Sequence, residues 1–137
     1  MFSAVVFAYS EVGFRCLQTL LDAGIDVRLV LTHRDSPAER PWFRSVAHLA
    51  AERGIDVITP SDPAAPEWIA RLEAAAPEYL FTFYYRLMLE RRLLACARWA
   101  ALNMHGSLLP KYRGRAPVNW AILNGETETG ATLHYMV

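Results

Sequence analysis

Short apolar runs alternate with segments of helical period along the whole chain, and that alternation limits the fold before any single residue is considered. Ser3 to Ala8 reads as a continuous buried run, the pattern of a parallel strand covered on both faces. Glu11 to Asp22 follows, with Gly13, Cys16, Leu17, Leu20 and Leu21 at helical spacing. Gly24 is placed to end that helix as a C-terminal cap. Val27 to Thr32 reads as the second strand, and His33 to Pro41 as a polar loop. Phe43, Val46, Ala47, Leu49 and Ala50 predict the next helix, stopped by Gly54. Val57 to Thr59 is a short strand, and Pro66 to Ala75 a helix with proline in its first turn. Tyr79 to Phe83 and Ala100 to His105 are strands, and Leu89 to Ala97 is a short helix between them. Pro117 to Leu123 reads as a last helix, and Ala131 to Met136 begins a sixth strand. Such βα units in series predict an α/β fold: a doubly wound, mostly parallel, Rossmann-like sheet with helices on both faces.

Length and charge narrow the rest. The chain has 137 residues, room for one domain and a single core. Val137 falls inside an apolar strand pattern without a turn or cap, so the reading expects an incomplete domain with an open sheet edge that lowers stability. Fourteen basic residues balance fourteen acidic ones, so no global field draws in nucleic acid or an anionic membrane. The apolar start, Met1 to Tyr9, has no basic flank and is too short for a signal peptide, and no run reaches membrane length. Cys16 and Cys96 lack CxxC spacing and read as small core residues of a reducing compartment. The expected location is the cytoplasm.

A doubly wound sheet raises the question of a dinucleotide. The first βα turn, Ala8-Tyr9-Ser10-Glu11-Val12-Gly13, has no G-x-G-x-x-G, and no acidic residue ends the second strand. A Walker pattern is absent as well. Gly13 reads instead as a place where a helix approaches the sheet closely. His33, His48, His105 and His134 show no metal spacing, so no metal is expected. His48 is expected on the outer face of its helix, and His33 and His134 suggest no role.

The chemistry is concentrated in Asn103-Met104-His105-Gly106-Ser107-Leu108-Leu109-Pro110. A strand places residues i and i+2 on one face, so Asn103 and His105 share a face at the C-terminal end of their strand. In open α/β sheets ligands bind at that end. A carboxamide beside an imidazole suits carbonyl chemistry, one stabilising an oxyanion and the other moving a proton. A strand end with two satisfied polar caps fits the same spacing. Lys111-Tyr112-Arg113-Gly114-Arg115 suits an anionic ligand or is a solvated basic loop. Phe83-Tyr84-Tyr85-Arg86 ends the neighbouring strand, where aromatics either stack on a flat heterocycle or cover the rim of the core. Ser107 has no G-x-S-x-G elbow. Asn124 to Gly130 reads as a turn.

Taken together, Asn-x-His-Gly-Ser-Leu-Leu-Pro, Tyr-Arg-Gly-Arg-Ala-Pro-x-Asn-Trp and Asn-Gly-Glu-Thr-Glu-Thr-Gly-x-Thr-Leu-His resemble the 10-formyltetrahydrofolate-dependent formyltransferases. The opening Val-Val-Phe-Ala-Tyr and Phe-Tyr-Tyr-Arg extend the resemblance over essentially all of the chain. In detail it is most similar to the members linked to polymyxin resistance, which formylate UDP-4-amino-4-deoxy-L-arabinose on the route to modified lipid A. Methionyl-tRNA formyltransferases share the Asn-x-His core but usually differ around the basic loop. They are the alternative, with tRNA as partner, and a non-catalytic folate- or nucleotide-binding module is a further one.

The resemblance implies Asn103 and His105 as catalytic residues, with an Asp partner of the His beyond Val137. It implies folate contacts at Leu87, Met88, Leu89, Arg115 and Val137, and a folate-site loop at Ser107, Leu108, Leu109 and Pro110. It implies 10-formyltetrahydrofolate as formyl donor and a UDP-amino sugar as acceptor, with no nucleic acid, membrane or metal. Without the Asp the 137-residue chain is expected to turn over negligibly, and oligomers would form through domains outside it.

Overall fold

A computed structural model describes residues 2–34, 44–105 and 132–136. Its elements in chain order are β1 (Ser3–Ala8), α1 (Ser10–Asp22), β2 (Asp26–Leu31), α2 (Val46–Glu52), β3 (Val57–Ile58), α3 (Pro66–Ala75), β4 (Tyr79–Phe83), α4 (Arg91–Leu94), β5 (Ala100–His105) and β6 (Thr132–Tyr135). The strands form one sheet in the order β3-β2-β1-β4-β5-β6. The first five run parallel, and β6 pairs antiparallel to β5. The direction of winding reverses between β1 and β4, which makes the C-terminal ends of these strands the natural crevice.

Strand alternation divides the core between two faces. Ala4, Val6 and Ala8 of β1 pack with Leu17 of α1 and with Val46, Leu49 and Ala50 of α2. Val5 and Phe7 pack with Leu72 of α3 and Leu93 of α4 on the other face. This is why β1 is apolar throughout rather than alternating: both of its faces are covered. The expected doubly wound sheet with helices on both sides is therefore present.

Two glycines act as anticipated. Gly24 has φ +82° and its N–H donates to the Leu21 carbonyl, closing α1. Gly13 lies where α1 crosses the sheet; a Cβ there would stand 3.1 Å from the Phe83 carbonyl oxygen and 3.2 Å from atoms of Ala8.

The segment after β4 departs from expectation. The helix anticipated over Leu89 to Ala97 is confined to Arg91–Leu94. Cys96 and Ala97 donate to carbonyls three residues back, and Arg98 and Trp99 then donate to Pro77 and Glu78. The chain is reeled into β5 before another helical turn can form, so Cys96 lies just past the helix. Strand β2 runs one residue earlier than the periodicity suggested, because Asp26 donates to the Phe2 carbonyl. The helix expected to include Phe43 starts at Val46, with Ser45 capping the His48 N–H at 3.1 Å. Phe43 itself, most of the His33–Pro41 loop and the Pro117–Leu123 helix lie outside the described residues.

Candidate functional site

The parallel register of β4 and β5 sets Thr82 directly beside Asn103. Parallel partners project to the same face, so the two side chains meet. The Thr82 hydroxyl donates to Asn103 Oδ1. Thr82 is buried and Asn103 half-buried, which makes this contact a fixed one in a poorly solvated setting. The bond orients the carboxamide, turning its carbonyl towards β4 and its NH2 group away. Met136 Sδ lies 3.6 Å from the same hydroxyl. Met104, the next residue, points to the opposite layer, where the Cys16 thiol donates to its sulfur at 3.6 Å.

His105 ends β5, its backbone paired with Thr132 of β6. By strand alternation positions 103 and 105 fall on one face at the C-terminal edge of the sheet. The structure thus brings Asn103 and position 105 to the end of the sheet where the spacing placed them.

The segment after β4 occupies the adjoining edge. Tyr84 has φ +58°, a left-handed conformation that costs a non-glycine residue about 1–2 kcal/mol. The surroundings hold it there. The Arg86 N–H donates to His33 Nε2 at 2.9 Å. The His33 ring stacks on Tyr85 with centroids 4.2 Å apart, and Tyr9 meets His33 edge-on at 5.1 Å. The Arg86 guanidinium sits 4.6 Å above the Tyr9 ring. Burial, and then the Arg86 charge, lower the His33 pKa, which keeps the imidazole neutral and able to accept. His33, for which the sequence suggested no role, is the joint between the ends of β1, β2 and β4.

Tyr85 therefore covers the rim of the core, its ring stacked on His33 and edge-on to Phe7. Burial pushes its hydroxyl up to about 12, and the oxygen finds no partner among the described residues. Leu87 and Met88 follow at 39% and 94% exposure, while Leu89 is buried in the α3–α4 layer. Of the five anticipated folate contacts, Leu87 and Met88 thus form an exposed apolar shelf and Leu89 anchors it. Arg115, Val137 and the Ser107–Pro110 loop lie outside the described residues.

A cleft of about 340 Å³ opens beyond the ends of β2 and β3, lined by Tyr9, Thr32, His33, Arg34 and Thr59 and by the first turn of α2. Arg34 donates to Thr59 at 3.2 Å. The buried Thr32 hydroxyl finds no partner among the described residues. Residue spacing alone offered no signal for this cleft, because its walls come from four separate segments.

Other groups are less suited to chemistry. Burial raises the pKa of both Cys16 and Cys96, with Glu73 adding to the effect at Cys96, so neither is an activated thiolate. His48 is exposed and pairs with Glu52 at 3.0 Å. Among the described residues no group of three or more His, Cys, Asp or Glu could hold a metal ion. No described helix is long and apolar enough to cross a membrane.

With this geometry in view, residues 4–137 match the family model described as formyl transferase. The chain belongs to the formyl transferase family. Solved structures share its fold. Phosphoribosylglycinamide formyltransferase from Bacillus halodurans aligns with 98% of this chain and 72% of its own, at 22% identity and a TM-score of 0.77. Glycinamide ribonucleotide transformylase 1 from Geobacillus kaustophilus aligns with 98% of this chain and 74% of its own, at 24% identity and TM-score 0.76. A formyltetrahydrofolate deformylase from Pseudomonas syringae pv. tomato aligns over 99% of this chain and 46% of its own, at 20% identity and TM-score 0.75. At these identities the similarity is one of fold. Within it, the sheet carries Asn103 towards the C-terminal end of β5, with Thr82 as its hydrogen-bond partner.

Proposed function

We propose that this chain is the catalytic N-terminal part of an enzyme that moves a formyl group from 10-formyltetrahydrofolate to the primary amine of a UDP-amino sugar. The acceptor in this reading is UDP-4-amino-4-deoxy-L-arabinose, in lipid A modification. The observation that carries it is the Asn103 carboxamide, held by Thr82 at the mouth of the sheet in a chain of the formyl transferase family.

The amine nitrogen attacks the formyl carbon, and the carbonyl oxygen becomes an oxyanion. The Asn103 NH2 donates to it. His105 takes the proton lost by the attacking amine and delivers it to N10 as the C–N10 bond breaks. The products are the N-formyl sugar and tetrahydrofolate, and no redox partner is needed. The exposed Leu87 and Met88 suit a flat apolar face of the folate, and Arg115 suits an anionic group. The His partner Asp that the family resemblance places after Val137 completes the set.

The shape of the edge favours an elongated acceptor. From the end of β2 to the end of β5 there are three strand spacings, about 14 Å. A sugar nucleotide spans that distance, with its nucleoside in the polar cleft and its amine at β5. The structural relatives named for glycinamide ribonucleotide raise a phosphate monoester as another acceptor. A phosphate commonly binds at a glycine-rich first helix N-terminus. Here that turn holds Tyr9, and Glu11 with Arg44 at 2.7 Å, so a carboxylate already occupies the first turn of α1.

The direct test offers labelled 10-formyltetrahydrofolate with UDP-4-amino-4-deoxy-L-arabinose, glycinamide ribonucleotide or methionyl-tRNA as acceptor. A protein extended far enough to carry the Asp is used. Formylation of the UDP-sugar alone is expected. Exclusive use of either other acceptor would overturn the sugar assignment, and no transfer to any of them would overturn the catalytic one.

Thr82 provides a second check. Thr82→Val keeps the shape of the side chain and removes the donor. It should lower kcat about tenfold, as expected from roughly 1.4 kcal/mol of lost orientation, and leave the acceptor KM within twofold. Unchanged kcat would show that the carboxamide needs no support from β4.

A further inference from the structure

The exposed pair Leu87–Met88 is fastened at both ends. Leu89 is buried on one side, and Arg86 is tied to His33 on the other. Between them Leu87 is partly and Met88 almost wholly exposed, so the pair presents apolar surface to water. The turn leading into the pair contains Tyr84 in the left-handed region, so the local backbone does not favour this path by itself. Its restraint comes from the distant end of β2.

We propose that His33 is a positioning residue for the folate shelf, using the acceptor nitrogen of its neutral ring to lock the Arg86 backbone and thereby the attitude of Leu87 and Met88. The inference rests on the folate reading above for its ligand, but not for its structural half. Three features point to the backbone bond, not simple ring packing, as the active part. The 2.9 Å bond reaches the main chain one residue before Leu87. The His33 ring is itself fixed by Tyr85 stacked at 4.2 Å and Tyr9 edge-on at 5.1 Å, so Nε2 has a set direction. The Arg86 side chain is engaged elsewhere, 4.6 Å above Tyr9, so both the backbone and the side chain of that residue are held.

Releasing the lock lets the shelf sample other paths, and a ligand then binds only the fraction in the right one. If that fraction falls to about one tenth, the apparent Kd rises tenfold with no contact to the ligand removed. The lock is thus read in the affinity for folate and in the exchange of the backbone amides it holds.

The experiment compares His33→Phe, which retains a stacking ring without an acceptor, and His33→Gln, which restores an acceptor on a flexible stem. Both are read with 5-formyltetrahydrofolate as the binding probe and by hydrogen exchange of the Arg86–Met88 amides. His33→Phe should weaken the probe about tenfold and speed exchange at Arg86 and Leu87. His33→Gln should return both to within about threefold of wild type. Should His33→Phe not fold, His33→Ala, which adds nothing to be packed, takes its place with the same expectation. Wild-type affinity and exchange in the acceptor-less variant would overturn the proposal, as would a His33→Gln variant as impaired as His33→Phe. A wild-type protein that does not bind the probe at all would instead overturn the folate reading. The exchange data would then still decide whether His33 holds the segment.

Discussion

Asn103→Ala should lower formyl transfer by about 10²–10³-fold, the usual cost of losing one oxyanion donor, while a reduced folate still binds within a few-fold of wild type. His105→Ala should lower it by about 10²–10⁴-fold, as for loss of a general acid–base group. The two are expected to act as a unit. Once the oxyanion is unsupported, proton transfer no longer limits the same barrier, so the double variant should lose far less than the product of the single losses. The measurement is single-turnover transfer from 10-formyltetrahydrofolate to the UDP-amino sugar in a protein extended to include the family Asp. Asn103→Asp is the sharper variant. It matches the shape of the carboxamide but replaces the NH2 donor with a carboxylate oxygen, and it puts negative charge where negative charge develops. It should be at least as impaired as Asn103→Ala. Activity within a few-fold of wild type in either Asn103 variant would remove the carboxamide from the mechanism.

The arrangement behind that prediction was partly legible from residues alone. The bounds of β4 and β5 follow directly from their apolar runs, and the structure has Tyr79–Phe83 and Ala100–His105 as strands. A period-2 rule then places positions 103 and 105 on one face without coordinates. Thr82 could have been found by one more step. If β4 and β5 are parallel neighbours and start in register at Tyr79 and Ala100, position 82 must lie beside position 103. What was lacking was the pairing, because strand order is a property of the sheet and is not set by local sequence.

His33 was illegible for a related reason. It is separated by more than fifty residues from its partner Arg86, and a histidine just past a strand has no periodic signature. The short helix α4 was over-read because Leu89, Leu93, Leu94 and Cys96 match a helical stripe. In the structure that stripe is buried by a single helical turn with coil on either side, since the backbone is committed to Pro77 and Glu78. Periodicity reports which residues are covered, and tertiary hydrogen bonds decide how the chain gets there.

Gly13→Ala should destabilise the fold although alanine is the better helix former, and Gly13→Val should do so by about 1–3 kcal/mol, the usual cost of overpacking. On an exposed helix face the alanine change would gain about 1 kcal/mol. Here the new Cβ meets the Phe83 carbonyl oxygen at 3.1 Å and the backbone carbon and Cβ of Ala8 at 3.2 Å. These are not flexible side-chain tips. Ala8 and Phe83 are register partners in adjacent strands, and the Phe83 oxygen also accepts the Tyr9 N–H at 3.0 Å. Helix α1 and the sheet must therefore part by a few tenths of an ångström, a shift felt at the β1–β4 junction from which Tyr9 and Tyr84 depart. Two effects should follow together: a lower denaturant midpoint with unchanged slope, and a weaker grip on reduced folate, because the shelf at Leu87–Met88 continues from that junction. A variant as stable as wild type would mean that the α1–sheet contact is soft. A variant that loses stability and keeps its folate affinity would show that the shelf is fixed by His33 and Leu89 without help from α1.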